Sequence, residues 1–192
     1  MINRRFFLLS SIFSFALAGS GRAIAANDPK AYVQSIGKDV LALANGSTRG
    51  KPLRAKFVTL LSRYVNLRNI AGSALGTFRS KLPQSDKEKF NGLVTTYAAA
   101  LFVWYIDRFK GGDFSIDTVV KQGSFTIVKS KLSGEQIVWY LNPKGDGYQV
   151  VDMSILGVRL SVAMRDAFSK ELKRSKGDFN GLYAFLSEAE TW

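Results

Sequence analysis

The chain has 192 residues, of which 46% are hydrophobic, and it contains no cysteine and no histidine. The missing residue types exclude thiolate nucleophiles, disulfides and imidazole bases, so a Ser-His-Asp or Cys-His mechanism is impossible and most zinc or copper sites are excluded. A formal net charge of +12 suits an anionic partner, which outside the cytoplasm is a membrane surface or an acidic protein, and it also suits simple solubility; charge alone does not decide between them.

The N-terminal segment, residues 1–26, has the pattern of a cleaved export signal. Arg4 and Arg5 precede an apolar run over 6–19, and small residues follow at "AIAAND". The apolar run is too short to span a membrane. Its paired arginines suit the twin-arginine route as well as the general secretory route. We expect a periplasmic protein with one domain over 27–192, no nucleic-acid partner, and a formal charge of +9 once the three signal arginines are removed.

Apolar spacing predicts four helices in the first part of that domain. The first covers 28–45, with Asp28 as its N-cap and a proline at the first turn. The second covers 53–65, and a shorter third covers 66–82. The fourth is long, running from about 85 to 109. Their amphipathic spacing predicts that they pack on a shared core.

The fourth helix carries the strongest start signal in the chain. Ser85 with Glu88 three residues later has the pattern of a capping box, and Gly111 and Gly112 follow the end of the helix. Its stretch "YAAALFVWYI" is apolar almost all round, which predicts burial on more than one side. It is too short a run to be a transmembrane segment.

The chain then changes to the alternating pattern of strands. "FSIDTVVKQ", "SFTIVKSKL", "EQIVWYLN" and "YQVVDMSIL" are joined by short turns, which predicts a four-stranded antiparallel sheet. Two helices follow, over roughly 158–174 and 178–190, so the fold class is α+β. Alternation puts Val151 and Met153 on one sheet face and Asp152 on the other, and both faces are apolar. The long helix can cover one of these sheet faces. The other face is covered either by the terminal helices, which would make a sealed core, or by a bound apolar molecule.

Asp152 is a carboxylate inside a dense apolar run. It is either a catalytic acid or a structural charge, and a lone carboxylate without a histidine or a second acid is weak catalytic machinery. A buried charge needs a partner, and Arg165 on the following helix is the nearest candidate. We therefore expect an Asp152–Arg165 pair, or capping of the backbone at the strand–helix junction. Gly157 is expected to allow the sharp turn there.

The stretch "YQVVDMSILGVRLSVAMRDAF" resembles the run "W-K-V-x-D-v-x-i-e-G-V-S-l-v-x-n-Y-R-x-x-F" of the MlaC family, the periplasmic phospholipid-binding or toluene-tolerance proteins of a bacterial lipid-transport system. The matching positions are Asp152, Gly157, Val158, Arg165 and Phe168. An upstream segment is also similar, through Leu75, Gly76, Phe90, Tyr97 and Ala98. The chain departs from the pattern at Tyr148, Leu156, Arg159 and Met164.

The resemblance implies a curved sheet with helices, related to the cone of nuclear transport factor 2, and a deep apolar pocket for lipid acyl chains. It also implies a carrier between the outer membrane and an inner-membrane ABC-transporter complex, with an outer-membrane lipoprotein complex and anionic membrane surfaces as partners. No catalytic residue, metal or cofactor is expected besides the bound phospholipid. The apolar residues of the long helix and the sheet that we predict to contact lipid are Phe102, Tyr105, Ile127, Trp139, Leu141, Val151 and Met153.

Three alternatives remain open at the level of sequence. The first is an enzyme on the same cone-shaped fold that uses Asp152 with a tyrosine. The second is a carrier of hopanoid or another apolar ligand, since a hopanoid-associated branch has the same domain. The third is a structural envelope protein without a ligand, for which a closed core is expected.

Overall fold

The computed structural model describes residues 28–192, so the predicted export signal lies outside the described residues. The helices are α1 (Pro29–Asn45), α2 (Gly50–Tyr64), α3 (Leu67–Ala74), α4 (Lys87–Tyr105), α5 (Leu160–Arg174) and α6 (Phe179–Glu188). The strands are β1 (Phe114–Gln122), β2 (Phe125–Leu132), β3 (Glu135–Lys144), β4 (Gly147–Ile155) and β5 (Val158–Arg159). Short 3-10 segments cover Gly76–Lys81, Gln84–Asp86 and Ile106–Phe109.

Short polar side chains begin several of the helices. The predicted cap at Asp28 is confirmed, because its carboxylate accepts a hydrogen bond of 2.8 Å from the Lys30 backbone N–H. Asn66 caps α3 and Asp178 caps α6 in the same way. Each of these side chains satisfies an N–H group that the first helical turn leaves without a backbone partner.

The predicted capping box at the start of the long helix is wrong. Ser85 lies in a 3-10 turn, and its hydroxyl donates to the neighbouring Asp86 carboxylate at 3.0 Å. Glu88 forms an ion pair with Arg68 of α3 at 2.8 Å instead of reaching back along its own helix. The regular helix is therefore the 19 residues of α4, with 3-10 turns on both sides.

The sheet has the order β1-β2-β3-β4-β5, with every neighbouring pair antiparallel. The α+β class and the antiparallel meander are confirmed, but the predicted number of four strands is wrong. Leu156 and Gly157 both have positive φ, at 55° and 80°, and Ile155 pairs with Val158. This is the two-residue hairpin turn that suits the twist of paired strands. Residues that we expected to begin a helix therefore form a fifth strand.

A β-bulge in β4 changes which residues face the core. Tyr140 pairs with Asp152, but the next residue, Leu141, pairs with Val150, so Val151 is an extra residue in the ladder. The bulge places Val150 and Met153 together in the buried core and leaves Val151 on the Asp152 side. Strict alternation predicted Val151 and Met153 on one face, which is wrong.

The core lies between one face of the sheet and the helices. Val128, Leu141 and Val150 of that face are fully buried. The indole N–H of Trp139 donates to the Ser130 hydroxyl at 2.8 Å, which satisfies two polar groups inside the core. Helix α4 packs against both α2 and α6, in agreement with its predicted burial on more than one side.

Candidate functional site

An apolar cavity of about 490 Å³ opens between the C-terminal end of α4, the β4–β5 hairpin and the start of α5. Small-molecule sites commonly have volumes of roughly 300–1,000 Å³ and mostly apolar walls. Ten of its twelve lining residues have apolar or aromatic side chains: Leu101, Phe102, Tyr105, Phe109, Met153, Ile155, Leu156, Val158, Leu160 and Ala163. Arg108 and Glu135 complete the lining.

The last turns of α4 form one wall of this cavity. Leu101 and Tyr105 are four residues apart and therefore lie on the same side of the helix. Phe102 stacks on the fully buried Phe57 of α2, with ring centroids 5.7 Å apart and planes 14° from parallel. Phe57 thus holds the Phe102 ring in a fixed position. The 3-10 turn that follows α4 carries the buried Phe109 to the same cavity.

The β4–β5 hairpin forms the opposite wall. Met153 and Ile155 are two residues apart on β4, and both line the cavity. The two-residue turn then projects Leu156, which is 56% exposed although it is a large apolar side chain. Val158 across the turn is equally exposed at 56%. The cavity therefore has an inner end of buried side chains and a mouth of exposed ones.

The seven residues predicted to contact lipid lie in three places. Phe102, Tyr105 and Met153 line the apolar cavity. Ile127 and Val151 instead line a second cleft on the Asp152 side of the sheet. Trp139 and Leu141 line neither cavity; both are buried in the core. The structure thus brings only the first three together at this site, and their contact with a ligand stays a prediction.

Sequence reasoning missed most of the hairpin side of the cavity. The signal was present in "SILGVRL", where the turn pair Leu156-Gly157 is flanked by Ile155 and Val158. A leucine at the tip of a tight turn is unusual, since polar residues and glycine favour the left-handed conformation required there.

Asp152 caps helix α5 from a neighbouring strand. Its Oδ1 accepts hydrogen bonds from the backbone N–H of Met153 at 2.9 Å and of Ser161 at 3.2 Å. Its Oδ2 accepts from the Ser161 hydroxyl at 2.6 Å. The residue in the N-cap position of α5 is Arg159, whose side chain makes no capping hydrogen bond. A carboxylate at a helix N-terminus is also favoured by the helix dipole.

Arg165 is not the partner of Asp152. Within residues 28–192 the two do not form an ion pair, and the Arg165 guanidinium donates instead to the Ser73 backbone oxygen at 3.4 Å. Of the two predicted structural roles for Asp152, the capping role is the one that the geometry shows. The predicted ion pair is wrong, because Ser161 and two backbone N–H groups satisfy the carboxylate. Gly157 does form a sharp turn, within the β4–β5 hairpin.

We expect Asp152→Ala to lower the free energy of unfolding by about 1–3 kcal/mol, because it leaves buried donors without an acceptor. Asp152→Asn should cost less, since the amide oxygen keeps one acceptor for the backbone N–H groups. Urea denaturation of the two variants checks this order. Equal losses for Ala and Asn would contradict the capping role.

The second cleft, of about 650 Å³, is larger but more polar than the apolar cavity. It lies between α3, the β1–β2 turn and α5, and its lining includes Asn69, Ser73, Asp152, Arg159 and Arg165. The Arg159 guanidinium stacks 3.9 Å from the centre of the Tyr140 ring. With eight of fourteen lining residues polar or charged, this cleft suits water better than a hydrocarbon chain.

Buried tyrosines do not supply a base for acid–base chemistry. Burial, together with a smaller effect of the neighbouring Tyr64, raises the pKa of Tyr32 to about 12. Burial likewise raises the pKa of Tyr64, Tyr97 and Tyr183 above the ordinary value of 10.0. These phenols therefore stay protonated at neutral pH and cannot accept a proton there.

Neither a metal cluster nor a membrane span is found in the described part of the chain. Among residues 28–192, acidic side chains do not gather in a group of three or more that could hold a metal ion. None of the helices in the same range combines the length and apolar content needed to cross a bilayer.

Comparison with known proteins identifies similar sequences and folds. The family model described as "MlaC protein" matches residues 35–188. The curated proteins include no match to this chain. Among solved structures, a phospholipid-binding protein from Ralstonia solanacearum in complex with a phospholipid is similar, with a TM-score of 0.70 and 18% sequence identity. That match covers 85% of this chain and 97% of the other, and at this identity it shows a shared fold.

Proposed function

Because the chain belongs to the MlaC family, we propose that it is a phospholipid-binding carrier whose apolar cavity holds lipid acyl chains. The observation that carries this proposal is the cavity of about 490 Å³ with ten apolar or aromatic lining residues and an open mouth. A cavity of this kind favours a hydrocarbon ligand over a polar one. The phospholipid in the structural relative from Ralstonia solanacearum supports the same ligand class.

The energetic need for such a carrier follows from the hydrophobic effect. Each buried CH₂ group is worth about 0.8 kcal/mol, so exposing a chain of roughly 16 carbons costs on the order of 10 kcal/mol. A phospholipid therefore crosses an aqueous compartment slowly unless its chains are covered. Binding alone provides this cover, so no catalytic group is required.

Within the cavity we propose that Phe102, Tyr105 and Met153 contact the acyl chains. The polar headgroup then lies at the mouth, outside the apolar walls. Arg108 lines this mouth, and its guanidinium lies 5.3 Å from the centre of the Tyr105 ring. A guanidinium in that position can bind a lipid phosphate.

We propose further that the protein is periplasmic and that residues 27–192 act as one lipid-binding domain. It would carry phospholipid between an outer-membrane lipoprotein complex and an inner-membrane ABC-transporter complex. The export signal predicted over 1–26 and membership of the MlaC family support this role. An enzymatic role for Asp152 is disfavoured, because its carboxylate oxygens are occupied in capping α5.

Blocking the cavity mouth tests the proposal. Ala163 is an exposed lining residue of the cavity on α5, so Ala163→Trp is expected to fill the mouth and lower phospholipid binding at least about tenfold, which corresponds to about 1.4 kcal/mol. Binding is measured by titration with a fluorescent phospholipid. The matched control is Asp166→Trp, three positions later on the same helix, exposed and outside the lining.

The control variant should bind as the wild type does. Equal phospholipid binding by Ala163→Trp and the wild type would contradict the proposed site. A phosphorus assay of the ligand extracted from purified wild-type protein also distinguishes a phospholipid from a hopanoid, because only the phospholipid contains phosphorus.

A further inference from the structure

Exposed apolar side chains lie at the mouth of the cavity or directly next to its lining residues in the chain. Trp104 at the end of α4 is 73% exposed, and its neighbour Tyr105 lines the mouth. Leu156 and Val158 of the hairpin are exposed, as is Val162 in the first turn of α5. We call these five residues the rim. They come from the three elements that form the cavity.

The side chains of the rim suit a bilayer interface. Tryptophan and tyrosine combine an apolar ring with a polar group and are enriched at the level of lipid headgroups. Leu156 stands at the tip of a two-residue turn, where it can enter the acyl region without moving the rest of the fold. Single exposed apolar residues are ordinary on a protein surface, but a contiguous group marks an interaction site.

The net positive charge of the protein favours contact with an anionic membrane surface. Residues 28–192 carry 24 lysines and arginines against 15 acidic residues, a formal charge of +9. At the cavity itself, the exposed Arg108 lines the mouth together with one acid, Glu135, whereas the Arg159 side chain lies in the second cleft. Lysines and arginines attract anionic headgroups when they lie close to the membrane surface.

We propose that the rim is a docking surface that places the cavity mouth directly on an anionic phospholipid bilayer. This inference rests on the proposed lipid-carrier function. With the mouth on the bilayer, an acyl chain passes between membrane and cavity along apolar side chains and is not exposed to water. The contact is peripheral and reversible, because it uses a few side chains and not a spanning segment.

Cosedimentation with vesicles tests this surface. The wild-type protein is mixed with vesicles of phosphatidylcholine, with and without phosphatidylglycerol. We expect binding to the vesicles with phosphatidylglycerol, weakened by added salt because salt screens the charges. Trp104→Gln and Leu156→Asn are each expected to weaken it about tenfold, since each removes a large apolar group from the interface. Asparagine accepts the positive φ of position 156, so that variant keeps its turn.

The matched control is Val120→Asn on β1. Val120 is 51% exposed, close to the exposure of Leu156, but it lies outside the cavity lining. Vesicle binding by this variant should equal that of the wild type. Equal binding by Trp104→Gln and the control would overturn the docking surface. Failure of the wild type to bind at low salt would also overturn it and would assign the rim to a protein partner or to self-association.

Bound lipid, measured on the same samples, separates this inference from the proposed function. Trp104 is not a lining residue of the cavity, so Trp104→Gln should retain its phospholipid while it loses vesicle binding. That combination supports the docking surface. A wild-type protein that retains phospholipid but does not bind vesicles overturns the docking surface alone. A wild-type protein without phospholipid overturns the proposed function, and with it the premise of this inference.

Discussion

Replacing Phe57 by Ala is expected to lower the free energy of unfolding by about 3–5 kcal/mol, the range for removing a buried aromatic ring. Phe57 is fully buried on α2 and stacks on Phe102 with a centroid distance of 5.7 Å. The substitution leaves a cavity that this well-packed core cannot fill completely. It also removes the support of Phe102 in the cavity wall, so phospholipid binding should weaken as well. Chemical denaturation and lipid titration measure the two effects.

Phe57→Leu is the matched control for this variant. Leucine keeps most of the apolar volume, so its loss of stability should be well below that of the alanine variant. Because the aromatic stacking on Phe102 is absent in both variants, the difference between them reports the empty volume. A loss below about 1 kcal/mol for Phe57→Ala would contradict the packing described for α2 and α4.

Replacing Arg54 by Ala is expected to cost about 2–4 kcal/mol, because it removes a buried cation and the hydrogen bonds that it donates. Arg54 is almost fully buried on α2. Its guanidinium donates to the backbone oxygens of Ala189 at 2.7 Å, Glu190 at 2.7 Å and Trp192 at 3.1 Å. One side chain therefore holds the segment that follows α6. Chemical denaturation measures the loss, and hydrogen exchange locates it.

Arg54→Lys keeps the charge but cannot reach three oxygens at once, so its stability should lie between the wild type and Arg54→Ala. Faster amide exchange is expected over 189–192 in both variants, with little change in β2 and β3. Unchanged exchange in the terminal segment of Arg54→Ala would mean that other contacts, such as the packing of Trp192 on Tyr97, hold the segment alone.

The parts of the fold that local pattern determines were predictable from sequence. Helix α1 begins at its aspartate cap as expected, and strands β1 to β4 follow the predicted alternating segments. The long helix was also predicted, although the capping box at Ser85 was not its start. These features depend on contacts within a few residues of one another, which a single sequence displays directly.

The candidate site was less predictable, because it depends on contacts between distant segments. The bulge at Val151 shifts the facing of β4 by one residue, and alternation alone does not reveal where such a shift occurs. In the sequence, Trp139 and Leu141 cannot be told apart from cavity-lining residues, because apolar strand residues face both cores and cavities. Leu156 and Val158 were missed because the hairpin turn was assigned to a strand–helix junction.

Asp152 shows how a structural role can resemble a functional one in sequence. A carboxylate in an apolar run suggested a catalytic acid, an ion pair with Arg165, or capping of the backbone at the strand–helix junction. The structure shows the capping role, in which Asp152 accepts hydrogen bonds from the hydroxyl and backbone N–H of Ser161 at the start of α5. Ser161 comes just after β5 in the chain, and that strand was not predicted from the sequence. The family resemblance was confirmed, and it directed attention from this acid to the apolar residues around it.

The central claim is that the cavity between α4 and the β4–β5 hairpin carries phospholipid. The most direct measurement is native mass spectrometry of the wild-type protein, expressed with the predicted export signal over 1–26 and purified without detergent. We expect a mass above that of the polypeptide by the mass of bound phospholipid, and phospholipid in solvent extracts of the same sample. The polypeptide mass alone, with no phospholipid in the extracts, would contradict it.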